Sequence, residues 1–193
     1  MQLKSRYHLA KLFAKEGFKI GAEVGVAGGR FSKALFDVIP DLDLFLIDTW
    51  QRYKGNPRGG KQEQHDRNWE LAHERLKGKK AHFMKGFSMD RVKEFNDEIL
   101  DFVYIDAHHS FDYVMQDIIE WGKKVRKGGI ISGHDYYSFR WAGVVEAVDA
   151  YVKAHNLELH LTSKETDNGE VSWFFYKPEK EYDGFIGNNT GKK

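Results

Sequence analysis

The chain has 193 residues, 41% hydrophobic and 31% charged, with a formal net charge of +1. That balance suits one domain with a sizeable core and excludes a global electrostatic pull toward nucleic acid or an anionic membrane. It contains no cysteine, which excludes disulfide staples, thiolate-bound zinc and a thiol nucleophile.

No apolar run approaches the roughly 20 residues of a spanning helix, and Met1 to Arg6 are followed by no signal-peptide core, so the expected location is cytoplasmic. Residues 3–16 place Leu3, Tyr7, Ala10, Phe13 and Ala14 at helical spacing, ending before Gly17. Next comes the stretch from Lys19 to Ser32. A short apolar run carries the acid Glu23, breaks into Gly25, Gly28 and Gly29, and reopens as a helix with Phe31, Ala34, Leu35 and Val38 on one face. Such a strand–turn–helix presents free N–H groups to an anionic group, and glycine lets a ligand approach the backbone. Pro40 stops the helix. Leu42 to Asp48 predicts a buried parallel strand ending in a carboxylate, 20 residues after Gly28, about the interval at which nucleotide-binding βαβ units place an acid on ribose.

Residues 51–68 predict a polar, glycine-rich substrate or lid loop. Its cations Arg52, Lys54, Arg58 and Lys61 hint at an acidic or phosphorylated acceptor. After a helix through Leu76, a short strand from Ala81 to Lys85 leads to Gly86-Phe87-Ser88, with Ser88 as the expected N-cap of the next helix. Ile99 to Asp106 form another strand ending in an acid, followed by Ala107-His108-His109-Ser110-Phe111. The helix behind it carries Val114, Ile118, Trp121 and Val125 and is expected to stop at Gly128-Gly129. A strand from Ile130 ends at His134-Asp135, and a helix from about Trp141 to His155 follows. Two last strands, near 157–162 and 171–176, flank Asn168-Gly169, a hairpin signal. Residues 1–178 thus form one domain, with 179–193 as a flexible tail.

This alternation predicts an α/β fold: a Rossmann-like, doubly wound, mostly parallel seven-stranded sheet with an antiparallel C-terminal hairpin strand. Ligands bind outside the carboxyl ends of such strands, where Glu23, Asp48, Asp106 and Asp135 should gather. Glu23 inside the glycine turn would repel a pyrophosphate, which argues against a dinucleotide.

The sequence resembles class I S-adenosylmethionine-dependent methyltransferases from about Gly21 to Tyr176. Glu23 to Gly29 resemble the first motif and Leu46 to Trp50 the second. Tyr104 to Phe111, with Asp117, Trp121, Gly128-Gly129 and Gly133 to Tyr136, resemble a subgroup of small-molecule O-methyltransferases of the macrocin type. The resemblance implies S-adenosyl-L-methionine as cofactor, held by Glu23, Gly25, Ala27, Gly28, Phe31 and Ser32 at its methionine end. It assigns Asp48, with Thr49 and Trp50, to the ribose, Gly86, Phe87 and Ser88 to the adenine, and Asp106, Ala107 and His108 to the region of the transferring methyl.

Moving the methyl to a hydroxyl requires in-line geometry and a base. His109 falls on the family's histidine, with His108 and His134 as further candidates and Asp106 and Asp135 beside them. Related enzymes hold Mg2+ or another divalent ion at such strand ends, which assigns Asp106 and Asp135 as ligands. His134 and Asp135 could share an ion only if the chain bends after Gly133. Tyr53, Phe111, Tyr136, Tyr137 and Trp141, with Phe139, are expected to form the acceptor pocket. The expected partner is a small sugar or phenol, with neither membrane nor nucleic acid, and a homo-oligomer is left open. Methylation of an amine or a macromolecule is the alternative, and an inactive cofactor-binding regulator or scaffold is the alternative of another class.

Overall fold

The computed structural model describes residues 3–55, 60–137, 142–163 and 171–179. Phe139, Trp141, Arg58, the Asn168-Gly169 turn and residues 180–193 of the expected tail lie outside them.

The order of elements is α1 (Arg6–Lys15), β1 (Ile20–Val24), α2 (Arg30–Val38), β2 (Asp43–Asp48), α3 (Gln62–Arg75), β3 (Ala81–Lys85), α4 (Ser88–Arg91) with a 3-10 turn Val92–Glu94, β4 (Leu100–Ile105), α5 (Phe111–Lys124), β5 (Val125–Gly133), α6 (Val144–Ala154), β6 (His160–Leu161) and β7 (Trp173–Tyr176). The seven strands form one sheet in the order β3-β2-β1-β4-β5-β7-β6. β1 to β5 pair in parallel, and β7 runs antiparallel between β5 and β6. The Rossmann-like sheet and its antiparallel C-terminal strand are as the sequence predicts.

Alternation along the strands sorts the core into two layers. Leu44 and Leu46 of β2 and Phe102 and Tyr104 of β4 pack with Leu9 and Phe13 of α1 and Phe31 and Leu35 of α2. Their neighbours Ile47, Val103 and Ile105 face the other way, onto Ile118 and Trp121 of α5 and Val148 of α6. Glu23, flanked by Ala22 and Val24 of the second layer, points to the α1/α2 side, where it is 2% exposed. Among the described residues no helix is long and apolar enough to cross a membrane.

Several boundaries differ from expectation: α1 is Arg6–Lys15 rather than 3–16, β6 is only His160–Leu161 of the expected 157–162 and β7 starts at Trp173, and three further differences bear on the site. α3 begins at Gln62, so the loop expected over 51–68 ends seven residues early; of the helix's residues only Ala72 is buried, which leaves no apolar stripe to announce it. α5 ends at Lys124 rather than at Gly128-Gly129, because Val125 turns directly into β5 opposite Leu100. The glycines lie inside that strand, where a Cβ at Gly129 would sit 2.5 Å from the Asp101 carbonyl oxygen; they serve close strand approach, not a helix stop. Ser88 is the first residue of α4 rather than its N-cap, and Phe87 precedes it with extended backbone and no side-chain cap.

Candidate functional site

The glycine turn is held by the neighbouring strands. Hydrogen bonds continue the ladder past β1: Gly25 N–H donates to the Ile47 carbonyl (2.8 Å) and Asp106 N–H to the Val24 carbonyl (2.7 Å). Gly25 has φ +93°, and a Cβ there would lie 2.0 Å from the Asp106 carbonyl oxygen, so no side chain fits between the ends of β1 and β4. Asp48 fastens the same turn. Its Oδ2 accepts from the N–H groups of Val26 (3.0 Å) and Ala27 (2.9 Å), and its Oδ1 from Trp50 N–H (2.8 Å). The Trp50 indole in turn donates to the Ala27 carbonyl (2.9 Å). Ala27, Trp50 and Asp135 all have left-handed backbone, at φ 47°, 39° and 56°. Such strain in non-glycine residues persists only where surrounding bonds impose it, and three of the six described residues that have it stand on the rim.

Two cavities open over this rim. One, of about 560 Å³, is lined by Glu23, Gly25, Val26, Ala27, Gly28 and Phe31, by Arg6 and Arg30, by Gln64, Arg67, Asn68, Leu71 and Arg75 of α3, and by Asp106, Ala107, His108 and His109. The other, of about 470 Å³, runs past Asp48, Thr49, Trp50 and Tyr53 to Gly86, Phe87, Ser88, Met89, Gln116 and Asp117. They share Gly25, Ala27, Asn68, Asp106, Ala107 and His108, so they meet above the ends of β1 and β4.

Each cavity contains a buried acid. Burial pushes the Glu23 carboxyl up to about 8, against the opposing effect of a 2.5 Å hydrogen bond from Ser32 Oγ. Ser32 lies beneath the cavity and positions Glu23 rather than lining the wall. Phe31 packs on Tyr104 with ring centres 4.1 Å apart. At the far end of the second cavity, burial raises the Asp117 carboxyl to about 7 although Ser88 Oγ donates to it. Ser88 accepts from the Trp121 indole in turn (2.8 Å).

The histidines separate by their partners. His108 Nδ1 accepts from Ser110 N–H (3.2 Å), which leaves Nε2 to donate to the Gly55 carbonyl (3.3 Å). Both ring nitrogens are therefore engaged in the loop. His109 Nε2 lies 3.0 Å from Asp135 and 3.5 Å from Asp106. Burial lowers its pKa, but the bonds to these two carboxylates outweigh that and bring it to about 9. Against its burial, the imidazoles of His109 and His134 hold the buried Asp135 well below the usual carboxylate range. His134 Nδ1 is 3.3 Å from Asp135 and 3.8 Å from Asp106, and its pKa is raised by them against burial. The chain does bend after Gly133, and Asp106, His134 and Asp135 each offer an atom within 4.8 Å of the others.

Among the described residues, the expected acceptor aromatics do not line one cavity together. Tyr53 meets Phe87 edge-on at 5.1 Å in the second cavity. Phe111, at the start of α5, is exposed. The Tyr136 hydroxyl donates to Asp149 (2.7 Å) and Tyr137 N–H to the Asp135 carbonyl (2.7 Å). None of these last three lines either cavity. Nor do Arg52, Lys54 or Lys61; the cavity's cations come from other elements. The α3 residues that line the first cavity recur at positions 64, 67, 68, 71 and 75, a helical face that its polar character hid from a search for apolar periodicity. Asp117 left one signal, a carboxylate three residues after Val114 on a buried stripe. Arg6 left none.

A sheet of this order, with its rim of acids and joined cavities over the carboxyl ends, defines a Rossmann-like cofactor-binding domain. The family described as "Methyltransferase domain" matches residues 22–136, and the chain belongs to it. No curated protein matches the sequence. Among solved structures, an O-methyltransferase from Bacillus cereus in complex with SAH aligns with TM-score 0.66 at 13% identity, over 89% of this chain and 80% of that one. TomG, an O-methyltransferase from Streptomyces achromogenes in complex with SAM, gives 0.66 at 16% identity, over 89% and 79%. A precorrin-6y C5,15-methyltransferase from Geobacter metallireducens gives 0.63 at 13% identity, over 89% and 88%. At these identities the likeness establishes the fold, and proteins named for different acceptor atoms share it.

Proposed function

We propose that the protein is an S-adenosylmethionine-dependent methyltransferase that methylates a hydroxyl of a small molecule. The observation that carries this reading is the meeting of the two cavities over Gly25 and Asp106. The residues present fit the cofactor: the second cavity offers Asp48 to a diol and Ser88 and Asp117 to an adenine edge, and Glu23 and Asp106 suit an ammonium beside the glycine turn. When bound, the cofactor supplies a methyl on a sulfonium; the acceptor oxygen forms the new O–C bond as the S–C electron pair returns to sulfur.

The chain's own residues supply the rest. The helix α2 N-terminus and the glycine turn receive the carboxylate of the methionine moiety. Ala107 and His108 bound the junction. His109, in its neutral form, is the base that takes the acceptor's proton, oriented by Asp106 and Asp135. His109→Ala should lower kcat by about 10²–10⁴-fold with cofactor affinity retained.

The cluster of Asp106, His134 and Asp135 favours a second activation route at the same place. Two carboxylates and an imidazole suit manganese, iron or zinc better than magnesium, and such an ion would acidify the acceptor hydroxyl. Turnover unchanged by chelation and by added Mn2+ or Mg2+ removes this route.

The test of the main reading is calorimetric titration with S-adenosylmethionine, followed by S-adenosylhomocysteine release over a panel of hydroxylated sugars and phenols. Absence of binding at millimolar cofactor overturns it. Binding without turnover on hydroxyls, but with turnover on amines or macromolecules, transfers the chain to the alternative acceptor class.

A further inference from the structure

We propose that the first cavity is an anion-recognition subsite, and that the acceptor is a small hydroxylated molecule carrying a carboxylate or a phosphate. This rests on the methyltransferase reading and adds the acceptor's chemical class to it.

Four guanidinium groups line the cavity: Arg6 from α1, Arg30 at the start of α2, and Arg67 and Arg75 on one face of α3. Its carboxylates, among the described residues, are Glu23 and Asp106. In a chain whose formal net charge is +1, this is a local concentration of positive charge. The four arginines have different duties. Arg6 lies 3.9 Å from Asp106, and Arg75 Nη1 donates to the Gly28 carbonyl. Both are spent on the rim. Arg30 and Arg67 are exposed to the cavity and form no ion pair among the described residues.

The acids do not cancel this charge. Asp106 already faces Arg6, His109 and His134, and Glu23, buried and bonded by Ser32, is the acid assigned to the cofactor's ammonium, which matches its charge in cofactor-saturated protein. The cofactor itself brings one carboxylate; assigned to the glycine turn and the α2 N-terminus, where Arg30 stands, it leaves Arg67 on α3 for a second anion. Because the cavity shares Asp106, Ala107 and His108 with the second cavity, an anion held at Arg67 leaves a hydroxyl on the same small molecule within reach of the junction. Arginine suits this duty: its planar fork matches carboxylate and phosphate oxygens in pairs.

The experiment titrates protein saturated with S-adenosylhomocysteine against 3,4-dihydroxybenzoate, catechol, pyrophosphate and an RNA oligonucleotide, for the wild type and for Arg67→Glu. We expect 3,4-dihydroxybenzoate or pyrophosphate to bind, catechol to bind at least about tenfold more weakly, and Arg67→Glu to weaken the anion by about tenfold or more with S-adenosylhomocysteine affinity unchanged. Binding of neither anion, or binding unmoved by the substitution, overturns the subsite. A loss of S-adenosylhomocysteine affinity in Arg67→Glu assigns that arginine to the cofactor carboxylate and also overturns it. Preference for an RNA oligonucleotide over both small anions overturns the small-molecule assignment in favour of a macromolecular acceptor. Failure of S-adenosylhomocysteine to bind the wild type is a separate result that refutes the methyltransferase reading itself.

Discussion

At the scale of single residues, two buried carboxyls set the pH behaviour. Glu23 titrates near 8 in the empty protein, whereas a bound ammonium would require it ionised. Cofactor binding should therefore release up to one proton near pH 7, and affinity should rise with pH until about 8 and then level off. Calorimetry in two buffers of different ionisation enthalpy measures that proton, and Glu23→Gln should abolish it while weakening S-adenosylmethionine by about tenfold. Asp117, near 7, acts on stability. A carboxyl raised above its unfolded value stabilises the fold while protonated and loses that contribution as pH climbs through the folded pKa. Glu23 and the raised imidazoles of His109 and His134 have the same sign, so the melting temperature should fall between pH 6 and pH 8.5. Asp117→Asn, which keeps an acceptor for Ser88, should flatten part of that fall; an identical fall in the variant would show that Asp117 is not a buried titrating group.

Among the elements, the turn after β1 carries the most constraint. Asp48 was legible from its place at the end of a hydrophobic strand, but what it does in the fold was not, because three backbone N–H donors come from a turn 21 residues away and from Trp50. Losing these charged hydrogen bonds, Asp48→Ala should cost about 2–3 kcal/mol of stability in denaturant unfolding, besides weakening the cofactor. A 2′-deoxy cofactor analogue separates the two effects. If Asp48 also holds the ribose, the wild type discriminates against the analogue and the variant does not. The strands were readable because each combines an apolar run with glycine or polar residues at its end. The helix boundaries were not, for opposite reasons. α3 has almost no buried side, whereas α5 passes into β5 at Val125 without a turn residue to mark the change.

For the molecule as a whole, the site depends on strand ends and helices from most of the described chain closing over one rim. The strand ends supply Glu23, Asp48, Asp106, His134 and Asp135, all visible as polar endings to apolar runs. The walls come from Arg6 of α1, the polar face of α3 and Asp117 of α5, which no strand-based pattern announces. A cofactor spanning both cavities would contact the ends of β1, β2, β3 and β4 together, so its binding should stabilise the entire domain rather than one loop. With ligand at 100 times Kd, mass action adds about 2.7 kcal/mol. For a chain of 193 residues that is a rise in melting temperature of about 5–10 °C. The rise should appear with S-adenosylhomocysteine as with S-adenosylmethionine, since neither cavity's contacts require the methyl. It should also persist in chelator, because of the residues assigned to the cofactor only Asp106 belongs to the cluster of Asp106, His134 and Asp135. A thermal shift that needed a divalent cation would place the metal among the requirements for cofactor binding and reverse that assignment.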